Sequence, residues 1–285
     1  MPTAMRQCGE VSLFVVERGP ADGPLLFLLH GFPDYSAAWR HQIPALIAAG
    51  YRVIMPDQRG YNLSDKPKGV AVYDLDRLAR DVIALAASYG QDRFTVVGHD
   101  WGAGVAWWLA DRYASHIERA VMINAPHPAI WRDAMDHDPR QRKLSSYVRV
   151  LGLHWLPEAI IASGRYKALA DSLRMSKDPL PAPVLEGYRA AWSQPGALTA
   201  MINWYRAMLK RRFTVPAPAS IAAPILLLWG RDDKFAIPEL AERSIELGTN
   251  ARVEFIEDAG HWAMWDAPET INPLLLDFLG KGPRS

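Results

Sequence analysis

The sequence predicts an α/β fold: a mainly parallel central sheet flanked by helices, with an all-helical segment inserted into it. Three observations carry this. Short apolar runs alternate with longer helical patterns through the first half of the chain. Between residues 129 and 218 the strand-like runs stop. The alternation then returns for the remainder. At 285 residues the chain is long for one average domain and short for two, which suits one core split by an insertion. The expected division is a core of residues 1–128 and 219–285, with a helical cap of residues 129–218.

In chain order, strands are expected over residues 11–17, 25–29, 52–55, 94–97 and 120–123, each bounded by Gly, Pro or Asp. Residues 74–89 read as a helix. Asp74 offers an N-cap, Leu75, Leu78, Ala79, Val82, Ile83 and Ala86 share one face, and Gly90 is a stop signal. Another helix is expected to start near Trp101. In the inserted segment Pro139, Pro157, Pro179, Pro181, Pro183 and Pro195 cut the helices short. One of these helices has a marked apolar face: Leu198, Met201, Ile202, Tyr205, Met208 and Leu209. Strands are expected again over residues 225–229 and 252–256, with helices over 239–247 and 268–279.

Composition narrows the function classes. Hydrophobic residues make up 49% and charged residues 22%, which excludes a disordered chain. With 32 Lys plus Arg against 31 Asp plus Glu, the net charge of +1 gives no pull toward nucleic acid or an anionic membrane. No apolar run reaches signal-peptide or membrane-span length, so a cytoplasmic protein is expected. Cys8 is the one cysteine, so neither an intrachain disulfide nor a thiolate zinc cluster can form. The eight histidines are scattered without an HExxH pair, and no metal is expected.

The segment from Phe94 to Gly104 runs from a strand directly into a helix. Gly98, Asp100 and Gly102 have the spacing of a nucleophile elbow, a strained turn that lifts its middle side chain above the sheet edge. A dinucleotide loop needs glycines at other offsets and an earlier place in the chain. An aspartate that merely caps the helix is the plainer alternative. Three further features weigh against that alternative. His30-Gly31-Phe32-Pro33 follows a strand, where a glycine turn can aim an N–H at a developing oxyanion. Gly230-Arg231-Asp232-Asp233 follows another. Asp258-Ala259-Gly260-His261-Trp262 follows the last. The order is nucleophile, acid, histidine, each at a strand end.

With these segments the chain resembles the α/β-hydrolase superfamily and, within it, epoxide hydrolases with an aspartate nucleophile. The matching stretches are HGFP (30–33), DQRGYNLSDKP (57–67), GHDWG (98–102), NAPHP (124–128), NWYR (203–206) and DAGHW (258–262). The resemblance implies an α/β-hydrolase fold with Asp100 as nucleophile and His261 as base. The family's spacing favours Asp233 over Asp232 as the acid. It implies two lid tyrosines that grip the epoxide oxygen. Tyr205 falls on one, and Tyr147, with Leu156-Pro157-Glu158 downstream, matches the other. Phe32 and Trp101 would supply the oxyanion N–H groups. His30, Pro33, Trp204 and Trp262 would border the substrate pocket. Trp131, Trp155, Trp192 and Trp204 suggest an apolar pocket for aryl or alkyl epoxides. The partners implied are a small epoxide and water, with no cofactor.

The residue type at position 100 specifies the chemistry. A carboxylate is ionised at neutral pH, with a reference pKa of about 3.9, and attacks an sp³ carbon without a base. Serine would need one and would suit an acyl carbon. The rival reading is a haloalkane dehalogenase with the same triad, although those enzymes often carry Asn where Phe32 stands. A non-catalytic ligand-binding relative would be expected to lack part of the triad, and none is missing.

Overall fold

The computed structural model describes residues 3–173 and 180–280. Its eight strands are β1 (Thr3–Cys8), β2 (Val11–Arg18), β3 (Leu25–Leu29), β4 (Arg52–Pro56), β5 (Phe94–His99), β6 (Ile117–Ile123), β7 (Ile225–Gly230) and β8 (Ala251–Ile256). They form one sheet in the order β1-β2-β4-β3-β5-β6-β7-β8. β2 runs antiparallel to β1 and β4, and every other pairing is parallel. All seven expected strands form. β1 is additional: it is a mostly exposed edge strand without apolar alternation, held in register from Thr3 opposite Val16 to Cys8 opposite Val11. The central strands β3 to β7 are mostly buried and apolar, because helices cover both faces of a parallel sheet.

The first core helices are α1 (Ile43–Ala48), α2 (Leu75–Ser88) and α3 (Trp101–Arg112). Asp74 caps α2 as expected, accepting from the N–H of Asp76 at 2.9 Å. Between β6 and β7 come α4 (Pro128–His137), α5 (Pro139–Leu144), α6 (Ser146–Leu151), α7 (Leu156–Ser163), α8 (Lys167–Leu173), α9 (Ala182–Trp192) and α10 (Ala197–Lys210). Among the described residues this stretch contains no strand. Pro179, the flanking residues of 174–179, and residues 1–2 and 281–285 of the expected core segments lie outside the described residues. The chain ends with α11 (Glu239–Ile245), α12 (Ala263–Asp266) and α13 (Pro268–Leu279). The apolar face expected around Tyr205 is part of a wider burial. From Ala197 to Ala207 almost every α10 side chain is buried, because the helix is wedged between the sheet's loops and the other inserted helices.

Strand order decides where a site can form. The chain leaves β3 toward β4 and returns to β5 on the opposite side of β3. The loops after β3 and β5 therefore part at a topological switch point, where open α/β sheets leave a crevice. The loops after β6, β7 and β8 follow at the same strand ends. Among the described residues no helix is long and apolar enough to cross a membrane.

Candidate active site

Asp100 is the single residue between β5 and α3, with φ 50° and ψ −119°. A non-glycine residue there carries about 1–3 kcal/mol of strain. Glycines make the turn possible. A Cβ on Gly98 would lie 2.3 Å from the carbonyl oxygen of Gly102, and one on Gly102 would lie 2.1 Å from that of Leu29. The Asp100 side chain makes no capping bond to α3. Its Oδ1 instead accepts from the Phe32 N–H at 2.8 Å, and its Oδ2 lies 3.5 Å from His261 Nε2. The plainer reading, a capping aspartate, is thereby removed.

On its other side His261 binds Asp233, Nδ1 to Oδ2 at 2.9 Å. The Asp233 carboxylate is fully enclosed. Its Oδ1 accepts from the N–H groups of Phe235 and Ala236, and its Oδ2 also accepts from Asn124 Nδ2 at 2.8 Å. Asp232 is exposed, so of the two adjacent aspartates it is Asp233 that meets the histidine. Two supporting residues were given no role from the sequence. Asn124 ends β6 with φ 49° and bridges the Gly230 N–H to Asp233. An Asn directly after an apolar strand is a signal for such a backbone position. Gln141 of α5, buried, accepts from the Ile237 N–H and donates to the Phe235 carbonyl, tying an inserted helix to the Asp233 loop. Nothing local in the sequence marks it.

Charge sets the protonation states. Burial is the largest influence on His261 and opposes its charge, but the Asp233 and Asp100 carboxylates outweigh it and raise the imidazole to about 10. Burial likewise opposes charge on Asp100, and His261 outweighs it to hold this carboxyl below its usual range. At neutral pH the two form an ion pair. Burial, followed by the Asp100 charge, pushes the Tyr147 phenol up. Burial and then the Tyr147 phenol do the same to Tyr205. Both phenols keep their protons.

Above Asp100 is a cavity of about 70 Å³ bordered by Trp101, Trp131, Tyr147, Tyr205, Phe235 and His261 among others. Tyr205 hangs from α10 edge-on to Phe32 and Trp101, with ring centroids 5.2 and 5.0 Å away. Tyr147 hangs from α6 against Phe235, which in turn covers His261. The two phenol rings are 6.1 Å apart. The structure thus gathers Asp100, Asp233, His261, Tyr147, Tyr205, Phe32 and Trp101 around one space.

Four residues expected to border the pocket stand behind its wall instead. His30 is fully buried; its Nδ1 donates to the Gly31 carbonyl and its Nε2 accepts from the Gln58 N–H, and burial pushes its pKa down. It shapes the loop that delivers Phe32. Pro33 is buried beneath it, with a cis bond from Phe32. Trp204 donates to the Arg59 carbonyl at 3.0 Å, and Trp262 to the Asp34 carboxylate at 3.1 Å. Of the four inserted-segment tryptophans only Trp131 faces the cavity. Trp192 donates to the Pro33 carbonyl, and Trp155 is 74% exposed. A tryptophan's indole N–H favours a seam with core carbonyls, which composition alone does not distinguish from a pocket wall.

This fold and this elbow define a hydrolase class, and comparison with known proteins agrees. The chain belongs to the α/β hydrolase fold family, whose model matches residues 24–147 and 154–268. It is 40% identical to an AB hydrolase superfamily protein (YfhM) of Bacillus subtilis, covering 94% of both chains. It is 33% identical to Epoxide hydrolase 4 of Homo sapiens, over 94% of this chain and 76% of that one. Among solved structures, a Bacillus megaterium epoxide hydrolase in complex with an inhibitor superposes with a TM-score of 0.88 at 28% identity, covering 97% and 99%. An epoxide hydrolase from metagenomes of hot environments gives 0.85 at 33% identity over 98% of each chain.

Proposed function

We propose that the chain is an epoxide hydrolase that opens an epoxide to a 1,2-diol through an ester on Asp100. The observation that carries this is the pair of phenols, Tyr147 and Tyr205, suspended over the Asp100 carboxylate in one cavity. Several epoxide hydrolases among the relatives support it. The chain's residues 129–218 act as the cap that brings both phenols.

Asp100 attacks an epoxide carbon. The C–O bond breaks, and the departing oxygen takes a proton from a tyrosine. Alkoxide is a strong base, so this proton matters in a way it would not for a departing halide. The tyrosinate is reprotonated from His261, whose proton the free enzyme holds ready. Esterification also removes the Asp100 charge that helped keep His261 protonated. The neutral His261, oriented by Asp233, then takes a proton from water, which adds to the Asp100 carboxyl carbon. The N–H groups of Phe32 and Trp101 hold the oxyanion. The imidazolium protonates the leaving diol oxygen, and the freed carboxyl returns its proton to His261. The sum is epoxide plus water giving diol, with no cofactor called upon.

A cavity of about 70 Å³ is well below the roughly 300–1,000 Å³ of ordinary ligand pockets. A substrate of aryl size therefore needs the wall side chains to move, and small alkyl epoxides fit with least adjustment.

The test is a single turnover in ¹⁸O-water, beside a screen of an epoxide, a haloalkane and a nitrophenyl ester. The label is expected first in the Asp100 carboxylate and not in the first diol. Label in that first diol means direct attack by water and ends the ester mechanism. Halide release without epoxide turnover moves the chain to the dehalogenase reading.

A further inference from the structure

We propose that Asp34 is a positioning residue that couples closure of the cap to the setting of His261, an inference that rests on the reading of the site above. Asp34 is 1% exposed and stands two residues after Phe32. Burying a carboxylate costs several kcal/mol unless donors surround it. Two donors do, and they come from different elements. Tyr188 of α9 donates its hydroxyl to Oδ1 at 2.8 Å. Trp262, the residue after His261, donates its indole N–H to Oδ2 at 3.1 Å. His99, the residue before Asp100, lies beside them with Nδ1 3.7 Å from Oδ2, beyond hydrogen-bond length.

His99 continues the chain of contacts. Its Nε2 lies 2.9 Å from the His261 carbonyl, which can only accept, so Nε2 donates. The imidazole rings of His99 and His261 are 4.9 Å apart. Asp34 therefore grips the His261 loop through Trp262, while His99 beside it holds the His261 carbonyl. Asp34 grips the cap once, through Tyr188. Trp192 on the same α9 face donates to the Pro33 carbonyl, so the cap meets the oxyanion loop at this point.

A neutral apolar side chain would fill this space at less cost. What the carboxylate adds is direction: it holds a phenol and an indole in fixed relation. If α9 lifts, Oδ1 loses its donor and the carboxylate is free to turn away from Trp262. The His261 imidazole then loses its register against the Asp100 ester. The step that depends on His261 is hydrolysis of that ester, so hydrolysis responds more than ring opening.

The experiment uses full-length wild type, Tyr188→Phe and Asp34→Asn. Tyr188→Phe removes only the cap bond and is the variant of choice if Asp34→Asn fails to fold. Formation and decay of the Asp100 adduct are followed by rapid-quench intact-protein mass spectrometry. The His261 Nδ1–H proton, in its bond to Asp233, is followed by NMR without substrate. Misplacing a reacting group by about 1 Å costs roughly 10²-fold. Adduct decay is expected to slow about tenfold in Asp34→Asn and less in Tyr188→Phe, with formation changed less than threefold and the His261 resonance shifted in both. Formation and decay falling together, or neither changing, with an unmoved resonance, overturns the proposal. If wild type forms no adduct, the epoxide reading fails, and the resonance alone decides for or against Asp34.

Discussion

At Asp100 one charge governs the protonation of its neighbour. His261 ordinarily titrates near 6.5 and here is raised to about 10, burial being outweighed by two carboxylates. A group with a raised folded-state pKa stabilises the fold fully below its unfolded value, and that contribution is lost as pH rises from 6.5 through 10. Asp100 is the mirror case. Its depressed pKa stabilises above about 3.8, and the contribution fades as pH falls below that. The pair is thus worth most between about pH 4 and 6.5. Asp100→Asn removes one of the two carboxylates, so the His261 pKa is expected to drop well below 10. The loss of stability between pH 6.5 and 10 should flatten with it. NMR titration of the imidazole and thermal melts across this range check both, and an unchanged pKa would show that Asp233 alone sets it. At this scale the sequence marks the groups proposed to react, because motif spacing singles out Asp100 and His261. It does not identify the groups that support them. Asn124, Gln141 and Asp34 act through contacts 94 to 228 positions apart in sequence, which no local pattern encodes.

The elbow shows how an element is written in glycine. Gly102 and Gly104 both lie in the first turns of α3, yet their surroundings differ. A methyl on Gly102 would strike the Leu29 carbonyl oxygen at 2.1 Å and that of His30 at 2.7 Å, so α3 would have to leave β3. The nearest atom to a methyl on Gly104 is Pro128 Cγ at 4.0 Å. Gly102→Ala is therefore expected to cost about 3 kcal/mol or more, the upper range for overpacking. Gly104→Ala should gain up to about 1 kcal/mol from helix propensity while narrowing the cavity it borders. Urea melts of the two variants measure the contrast. Equal effects would mean that the turn tolerates bulk at both positions. The same scale explains what was readable among the elements. β3 to β7 carry apolar runs bounded by Gly, Pro or Asp, and β8 alternates Val253 and Phe255 with Arg252 and Glu254, so all of them show in the sequence. β1 is exposed along most of its length and owes its place to pairing with β2, so composition hides it. The inserted helices are short and Pro-bounded, which reveals that they are helices but not how they pack.

Across the whole molecule, the strand order brings five loops to one crevice, and the inserted helices complete it from above. Asp100, Asp233 and His261 belong to the core. The phenols belong to α6 and α10, which reach the site only because the insertion is fastened down. Trp204 bonds the Arg59 carbonyl, Gln141 bonds the Asp233 loop, and Arg206 is buried against Glu158 with a two-fold ion pair that fixes α7 to α10. Such an arrangement separates acid help from nucleophile and base, so the two can be tested apart. General-acid assistance is worth roughly 10²–10⁴-fold, and it matters most for a leaving oxygen that departs as a strong base. Tyr147→Phe and Tyr205→Phe each leave one phenol facing the epoxide and should slow alkylation moderately. The double variant leaves none and should slow it by the full factor. Phenylalanine keeps the ring contacts with Phe235, Phe32 and Trp101, so the melting temperature should change little. Pre-steady-state alkylation of Asp100 by an epoxide, measured for wild type, both single variants and the double, gives the answer. A double variant that alkylates at the wild-type rate would take the proton from elsewhere and leave the cap a mere cover.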